Sequence, residues 1–175
     1  METIALRFRD LVTQQGGTVR EHREIIRRRQ FTWWGWWKRP YEALPHQFLL
    51  EFARRCPLTI YLLDTGGTAE GFHLYPARLE DIAMTPTGSD IPSPDVSATP
   101  NYYNTLRLAA WFKLSHIEPS PLKNVAAIRI IALPTWPQTG DPNATEYQGL
   151  EITSQERLRR IDVTLWQIDL RSQEQ

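Results

Sequence analysis

The sequence predicts an α+β domain, a curled mixed β-sheet or small β-barrel flanked by helices. Three observations carry this expectation. Several short segments alternate apolar and polar residues with the period of two that marks strands. Other segments repeat apolar residues at helical spacing. The order strand, helix, strand, helix, hairpin, strand, closing strand lacks the regular alternation of a doubly wound sheet. With 175 residues and 41% hydrophobic content the chain has material for one domain with a sizeable core. That domain is expected over 1–171, with 172–175 a polar tail or the start of a linker.

Thr3 to Leu11 sets Ile4, Leu6 and Phe8 against Ala5, Arg7 and Arg9, a first strand with one buried face. Residues 14–17 read as a turn. Thr18 opens a helix through a capping box with Glu21. Val19, His22, Ile25 and Ile26 form its apolar stripe, with His22 at the edge, and Glu24 is placed to pair with Arg28. After the aromatic strand discussed below, Pro45 starts a second helix with Phe48, Leu49 and Phe52 inward, and Pro57 closes it. Leu58–Leu63 and Gly71–Ile82 form a hairpin around a Gly-Gly turn at 64–68. Residues 85–100, rich in Pro, Gly and Ser, read as a loop with the composition of a mobile one. The run 107–117 alternates as a strand. Residues 121–133 fit either a short helix or another apolar segment, which periodicity does not separate. A loop over 134–149 follows, then a short helix capped by Thr153 with Glu156, then a closing strand over Val163–Leu170.

The segment Phe31 to Trp37, Phe-Thr-Trp-Trp-Gly-Trp-Trp, holds four of the seven tryptophans. On a strand, Phe31, Trp33 and Trp37 point one way and Thr32, Trp34 and Trp36 the other, so both faces are aromatic. One small core does not absorb four indoles in five positions, and exposed aromatic surface marks a contact site. Gly35 leaves room for a bulge or for a flat ligand at the backbone. Lys38 and Arg39 follow at once. The pattern predicts an aromatic pocket with a cationic rim, suited to a planar, anionic or nucleotide-like ligand.

Net charge is zero, but between Gly17 and Pro40 seven basic residues face only Glu21 and Glu24. Such a region steers a phosphate-bearing ligand without the indiscriminate nucleic-acid binding of a strongly basic domain. Cys56 is the single cysteine, so neither an internal disulfide nor a cysteine-based zinc cage is expected. Arg7, Arg9 and Asp10 interrupt the early apolar run, no apolar segment is long enough to span a bilayer, and a cytoplasmic location is expected. No nucleophile elbow, Walker loop, dinucleotide fingerprint or zincin motif is present, and His22, His46, His73 and His116 are scattered. Binding is therefore better supported than catalysis, with no cofactor and no metal expected.

The Trp-containing strand after an early helix, the hairpin from Leu58-Thr59-Ile60-Tyr61-Leu62-Leu63-Asp64 to Ala77-Arg78-Leu79, and the run Tyr102 to Leu114 followed by Ile117-Glu118-Pro119-Ser120-Pro121-Leu122 together resemble the PUA-like superfamily, especially its EVE, YTH and ASCH branches. The final strand is similar to the one that closes those barrels. The resemblance covers most of the chain as order and texture. It implies a domain that holds a modified or flipped-out base in an aromatic cage, and relatives fused to nucleases or signalling enzymes of bacterial defence systems. It places Trp33, Trp34, Trp36 and Trp37 in one cage wall and Tyr102 and Tyr103 in the other, with Trp111 in the core. The paired Trp-Trp-Gly-Trp-Trp strand and the Pro-rich insertion depart from the family pattern.

The reading is a recognition module binding a modified nucleobase or nucleotide through Trp33, Trp34, Trp36, Trp37, Lys38, Arg39, Tyr102 and Tyr103, as the sensor of a bacterial defence or signalling system. Its partners are nucleic acid or a free nucleotide and a fused or separate effector protein, with no membrane. One alternative is a module docking onto another protein through its Trp-rich surface. A second is a small hydrolase or nuclease using Glu42, His46 or His73.

Overall fold

The computed structural model describes residues 2–10, 14, 16–66, 71–135 and 147–172. The elements are β1 (Thr3–Phe8), α1 (Gly17–Arg29), β2 (Thr32–Gly35), α2 (His46–Arg54), β3 (Leu58–Asp64), β4 (Leu74–Ala83), β5 (Ile91–Pro92), a 3-10 turn (Val96–Ala98), β6 (Arg107–Leu108), β7 (Trp111–Ile117), β8 (Val125–Ala132), β9 (Glu151–Ile152), α3 (Gln155–Arg159) and β10 (Leu165–Ser172). Eight strands form one sheet in the order β2-β7-β4-β3-β1-β10-β8-β9. Among the described residues only β1 and β3 pair in parallel, in register Ala5 with Tyr61. The fold is α+β, and among the described residues the sheet is curled but unclosed, its edges β2 and β9 unpaired with each other.

Side-chain alternation on these strands feeds separate cores. From β1, Ile4 and Leu6 join Trp34, Trp36, Leu49, Phe52, Leu62 and Phe112 on one side. Ala5 joins Ile130, Ile152, Leu158, Trp166 and Ile168 on the other. A third cluster of Ile25, Trp33, Ala98, Tyr103 and Trp111 covers the opposite face of β2 and β7. This accounts for an aromatic strand with two faces: β2 lies between two apolar clusters, each taking one parity of its side chains. Helix α1 packs across β2 and β7, α2 on β4, and α3 beside β9.

Several local expectations are corrected. Helix α1 begins at Gly17 behind a left-handed Gly16 and carries no side-chain cap of its own, so the Thr18–Glu21 box does not form. Instead the Asp10 carboxylate accepts from the amides of Gly16 (2.8 Å) and Thr18 (3.0 Å), placing a negative charge at the helix start from the end of β1. Glu24 pairs with Arg27 and not Arg28, because one turn of helix also brings residues three apart together. His22 is fully buried instead of edging the stripe. Ser154, not Thr153, caps α3. The aromatic strand ends at Gly35, and the run 107–117 is split into β6 and β7 at Ala109-Ala110.

Residues 125–132 are a strand, settled by antiparallel pairing with β10 and β9. The expected closing strand, β10, is interior, between β1 and β8. The Pro-rich segment is tied down: Thr32 donates to the Ala98 carbonyl (2.9 Å), and Arg29 pairs with Asp95 at 3.3 Å. The second half of the Gly-Gly turn, most of the 134–149 loop and residues 173–175 of the polar tail lie outside the described residues.

Candidate functional site

Past Gly35 the chain leaves the sheet. The Trp36 amide still donates to the Ala110 carbonyl (3.0 Å), and the indole beyond it is buried. Its Nε1–H donates to Thr164 Oγ1 (2.8 Å), and that hydroxyl donates to Glu42 Oε1 (2.7 Å). Glu42, 3% exposed, is the hub of this loop. Oε1 also accepts from the Arg39 amide (2.9 Å), and Oε2 accepts from the Thr164 amide (3.1 Å) and the Thr135 hydroxyl (2.5 Å). A buried carboxylate is tolerated when its acceptor sites are filled, and here four donors fill them. Lys38 Nζ donates to the carbonyls of Glu42 (2.7 Å) and Arg39 (3.2 Å), which closes the loop on itself.

This loop forms one side of a cavity of about 320 Å³, at the small end of the ~300–1,000 Å³ usual for ligand pockets. Trp34, Gly35, Trp36, Trp37, Lys38, Arg39 and Pro40 line it from β2 and the loop. Leu6, Arg7 and Phe8 line it from β1 and Arg9 from just beyond it, Thr18 from α1, Tyr102 and Tyr103 from the segment before β6, and Thr164 from just before β10. Phe8 meets Trp34 edge-on at 5.2 Å, and Tyr103 meets Trp37 edge-on at 6.0 Å. Trp37 is 52% exposed, so its ring stands at the mouth.

The tyrosine wall is fixed from behind. Tyr103 stacks on Trp111 at 5.7 Å, and its hydroxyl bonds His22 Nε2. The other ring nitrogen, Nδ1, lies 2.7 Å from the Thr18 carbonyl, which only accepts. Nδ1 therefore carries the hydrogen, and Nε2 accepts from Tyr103. Burial pushes His22 down to about 4, against a weaker upward pull from Thr18, and the neutral ring this requires is the one the hydrogen bonds fit. Gly35 completes the wall: a Cβ there would stand 2.5 Å from Leu108 Cδ1, 3.0 Å from the Trp111 ring and 3.1 Å from the Tyr103 ring. The space that a flat ligand was expected to use at Gly35 is filled on that side by these three side chains.

Arg7, Arg9 and Arg39 add a guanidinium cluster to the lining. Arg7 is buried, with Nε donating to Thr65 Oγ1 (2.9 Å) and the terminal nitrogens to the carbonyls of Ile161 (2.8 Å) and Arg159 (3.3 Å). Burial pulls it below the usual guanidinium range, helped by Arg9 and Arg39 and opposed by Asp162. Asp162 is shared, 3.4 Å from Arg39 and 3.9 Å from Arg7.

The family model described as Pua-like matches residues 4–175. The chain belongs to the Pua-like family. No curated protein and no solved structure matches it. Pua-like domains are generally small recognition modules of the RNA- or nucleotide-binding type, which bind more often than they catalyse. Among the described residues of this Pua-like domain no helix is long and apolar enough to cross a membrane, and no group of His, Cys, Asp or Glu is placed to hold a metal ion.

Of the eight residues singled out from sequence, the Pua-like fold brings seven to one cavity: Trp34, Trp36, Trp37, Lys38, Arg39, Tyr102 and Tyr103. Trp33 is buried on the far side of β2 against Ile25 and Trp111. Glu42, His46 and His73 do not line the cavity. Leu6, Arg7, Phe8, Arg9, Thr18, Pro40 and Thr164 escaped the sequence reading. For Arg7 and Arg9 the only signal was their alternation on β1, which reads as a solvated face. Thr18, Pro40 and Thr164 carried none.

Proposed function

We propose that this Pua-like domain binds a modified nucleobase or nucleotide in the cavity beside β2 and catalyses no reaction of its own. The supporting observation is the pairing, in one cavity, of aromatic walls from Trp34, Trp37, Tyr102 and Tyr103 with a guanidinium cluster of Arg7, Arg9 and Arg39. A flat aromatic guest gains ~1–3 kcal/mol by stacking on such rings, and the cations attract the charge that a nucleotide carries. The walls are held by buried neighbours and hydrogen bonds, so little ordering is needed when a ligand enters. Coupling to an effector, as in the branches the sequence resembles, makes the module a sensor in a bacterial defence or signalling system, acting where nucleotides are found, in the cytoplasm.

Trp37 is the residue to test. Trp34 and Trp36 are buried, and their joint replacement reports folding as much as binding. Trp37→Ala removes a half-exposed ring at the cavity mouth. Tryptophan fluorescence titrations of wild type and variant against modified and unmodified oligonucleotides, mononucleotides and cyclic nucleotides are expected to show loss of at least about tenfold in affinity, with an unchanged circular dichroism spectrum. Equal affinity removes Trp37 from the site. Failure of every nucleotide together with retention of a protein partner that Trp37→Ala releases favours the docking alternative, for which Trp37 and Tyr41 are exposed aromatic residues among those described.

A further inference from the structure

The four cations that line the cavity are not equivalent. Lys38 spends its ammonium on two carbonyls of its own loop, and Arg7 spends its guanidinium on Thr65, Ile161 and Arg159. Arg9 makes one long contact to Thr65 Oγ1 (3.4 Å). Arg39 shares Asp162 through one terminal nitrogen, and its Nε is buried with no acceptor. The Tyr102 hydroxyl, on a residue that also lines the cavity, is buried against the side chains of Thr18 and Tyr103.

Charge at the cavity is unbalanced. Arg7, Arg9, Lys38 and Arg39 line it, against Asp162, which is largely exposed, and Glu42, whose oxygens are occupied. We infer that Arg9 and Arg39 form an anion subsite for a phosphate monoester, so that the cavity takes a nucleoside monophosphate in preference to the uncharged nucleoside. A monoester carries ≈ −1.5 to −2 charge at neutral pH, which matches two cations in excess, and its oxygens supply acceptors for the exposed guanidinium nitrogens of Arg9 and Arg39. The aromatic walls then take the base. This assignment rests on the aromatic-cavity reading above and adds to it which chemical form of the ligand is bound.

The test titrates the full chain with the common and methylated nucleosides, their 5′-monophosphates and inorganic phosphate, for wild type, Arg9→Gln/Arg39→Gln and Trp37→Ala. The expected result is a monophosphate bound at least about tenfold tighter than its own nucleoside, with an advantage that shrinks as salt is raised and disappears in the double Gln variant. Inorganic phosphate is expected to compete with the monophosphate in wild type and in Trp37→Ala but not in the double Gln variant. Equal affinity for nucleoside and monophosphate, or an advantage that survives the double Gln variant with a native circular dichroism spectrum, overturns the anion subsite while leaving the aromatic reading in place. Binding of inorganic phosphate without any nucleoside or nucleotide sinks the aromatic reading instead. Binding of none of these probes overturns both.

Discussion

Replacing Glu42 by Gln isolates the hub that holds the cavity's cationic loop. Gln has the same shape, but one carboxylate oxygen becomes an NH2 group, which donates. If it replaces Oε1 it faces the Arg39 amide, and if it replaces Oε2 it faces the Thr164 amide. Backbone amides cannot reverse their role, whereas the hydroxyls of Thr135 and Thr164 can. Either orientation therefore strands one buried amide and turns the remaining bonds from charge-assisted to neutral. A buried donor left without an acceptor costs ~1–3 kcal/mol, and bonds to a charged group contribute ~1.5–3 kcal/mol against ~0.5–1.5 for neutral ones. The swap is expected to destabilise by about 2–4 kcal/mol. For a domain of this size, at ~2–4 °C per kcal/mol, Tm falls by roughly 4–16 °C in a thermal melt followed by circular dichroism. Because Glu42 also orders the Arg39 backbone, ligand affinity falls in the same variant below its melting range. A Tm within about 1 °C of wild type refutes the four-donor hub, since no orientation of Gln satisfies both amides.

Other perturbations follow from packing and protonation. Trp36→Ala empties a buried site and breaks the bond to Thr164, for a loss of ~3–5 kcal/mol in urea unfolding; a loss under 1 kcal/mol would mean the indole is not packed as described. Gly35→Ala drives a Cβ to 2.5 Å from Leu108 and close to two rings, at ~1–3 kcal/mol of overpacking; unchanged stability would place β2 farther from Tyr103. His22 has its folded value lowered from 6.5 to about 4, so between those values the unfolded chain binds more protons and the folded state loses stability as pH falls through that window. The wild-type penalty, of order 3 kcal/mol, is expected to vanish in His22→Asn, and equal pH slopes for the two proteins would contradict a neutral buried imidazole.

Local pattern made much of this protein readable. Period-two alternation exposed the strands around residues 3–8 and 111–117, a compact apolar run beside a Gly-Gly turn exposed the hairpin arms 58–64 and 74–83, and helical spacing exposed α1 and α2, because side-chain direction and turn formation are set by the segment itself. The crowding of Trp33, Trp34, Trp36 and Trp37 also announced, without any fold, that both faces of one strand are aromatic and that some of these rings stay open to contact; Trp37 is exposed, whereas Trp33, Trp34 and Trp36 are buried. Which face meets what is another matter. Trp33 and Trp34 are adjacent in sequence, yet one packs against Ile25 and Trp111 and the other lines the cavity, because the 96–103 segment covers one side of β2 while β1 and β10 approach the other, with α1 reaching both through Ile25 and His22.

The tertiary structure alone decided the electrostatics. Arg7 reads as a solvated residue of an alternating strand, but carbonyls of Arg159 and Ile161, more than 150 residues away, take its donors and allow it to be buried. Glu42 reads as a loop acid, and only the arrival of Thr135 and Thr164 turns it into a buried staple. Segment 125–132 lacks a period that distinguishes helix from strand, and its state was settled by the free edges of β10 and β9. Periodicity records what each residue prefers on its own segment. Partners for a buried charge or an open strand edge come from distant parts of the chain, and no local pattern encodes them.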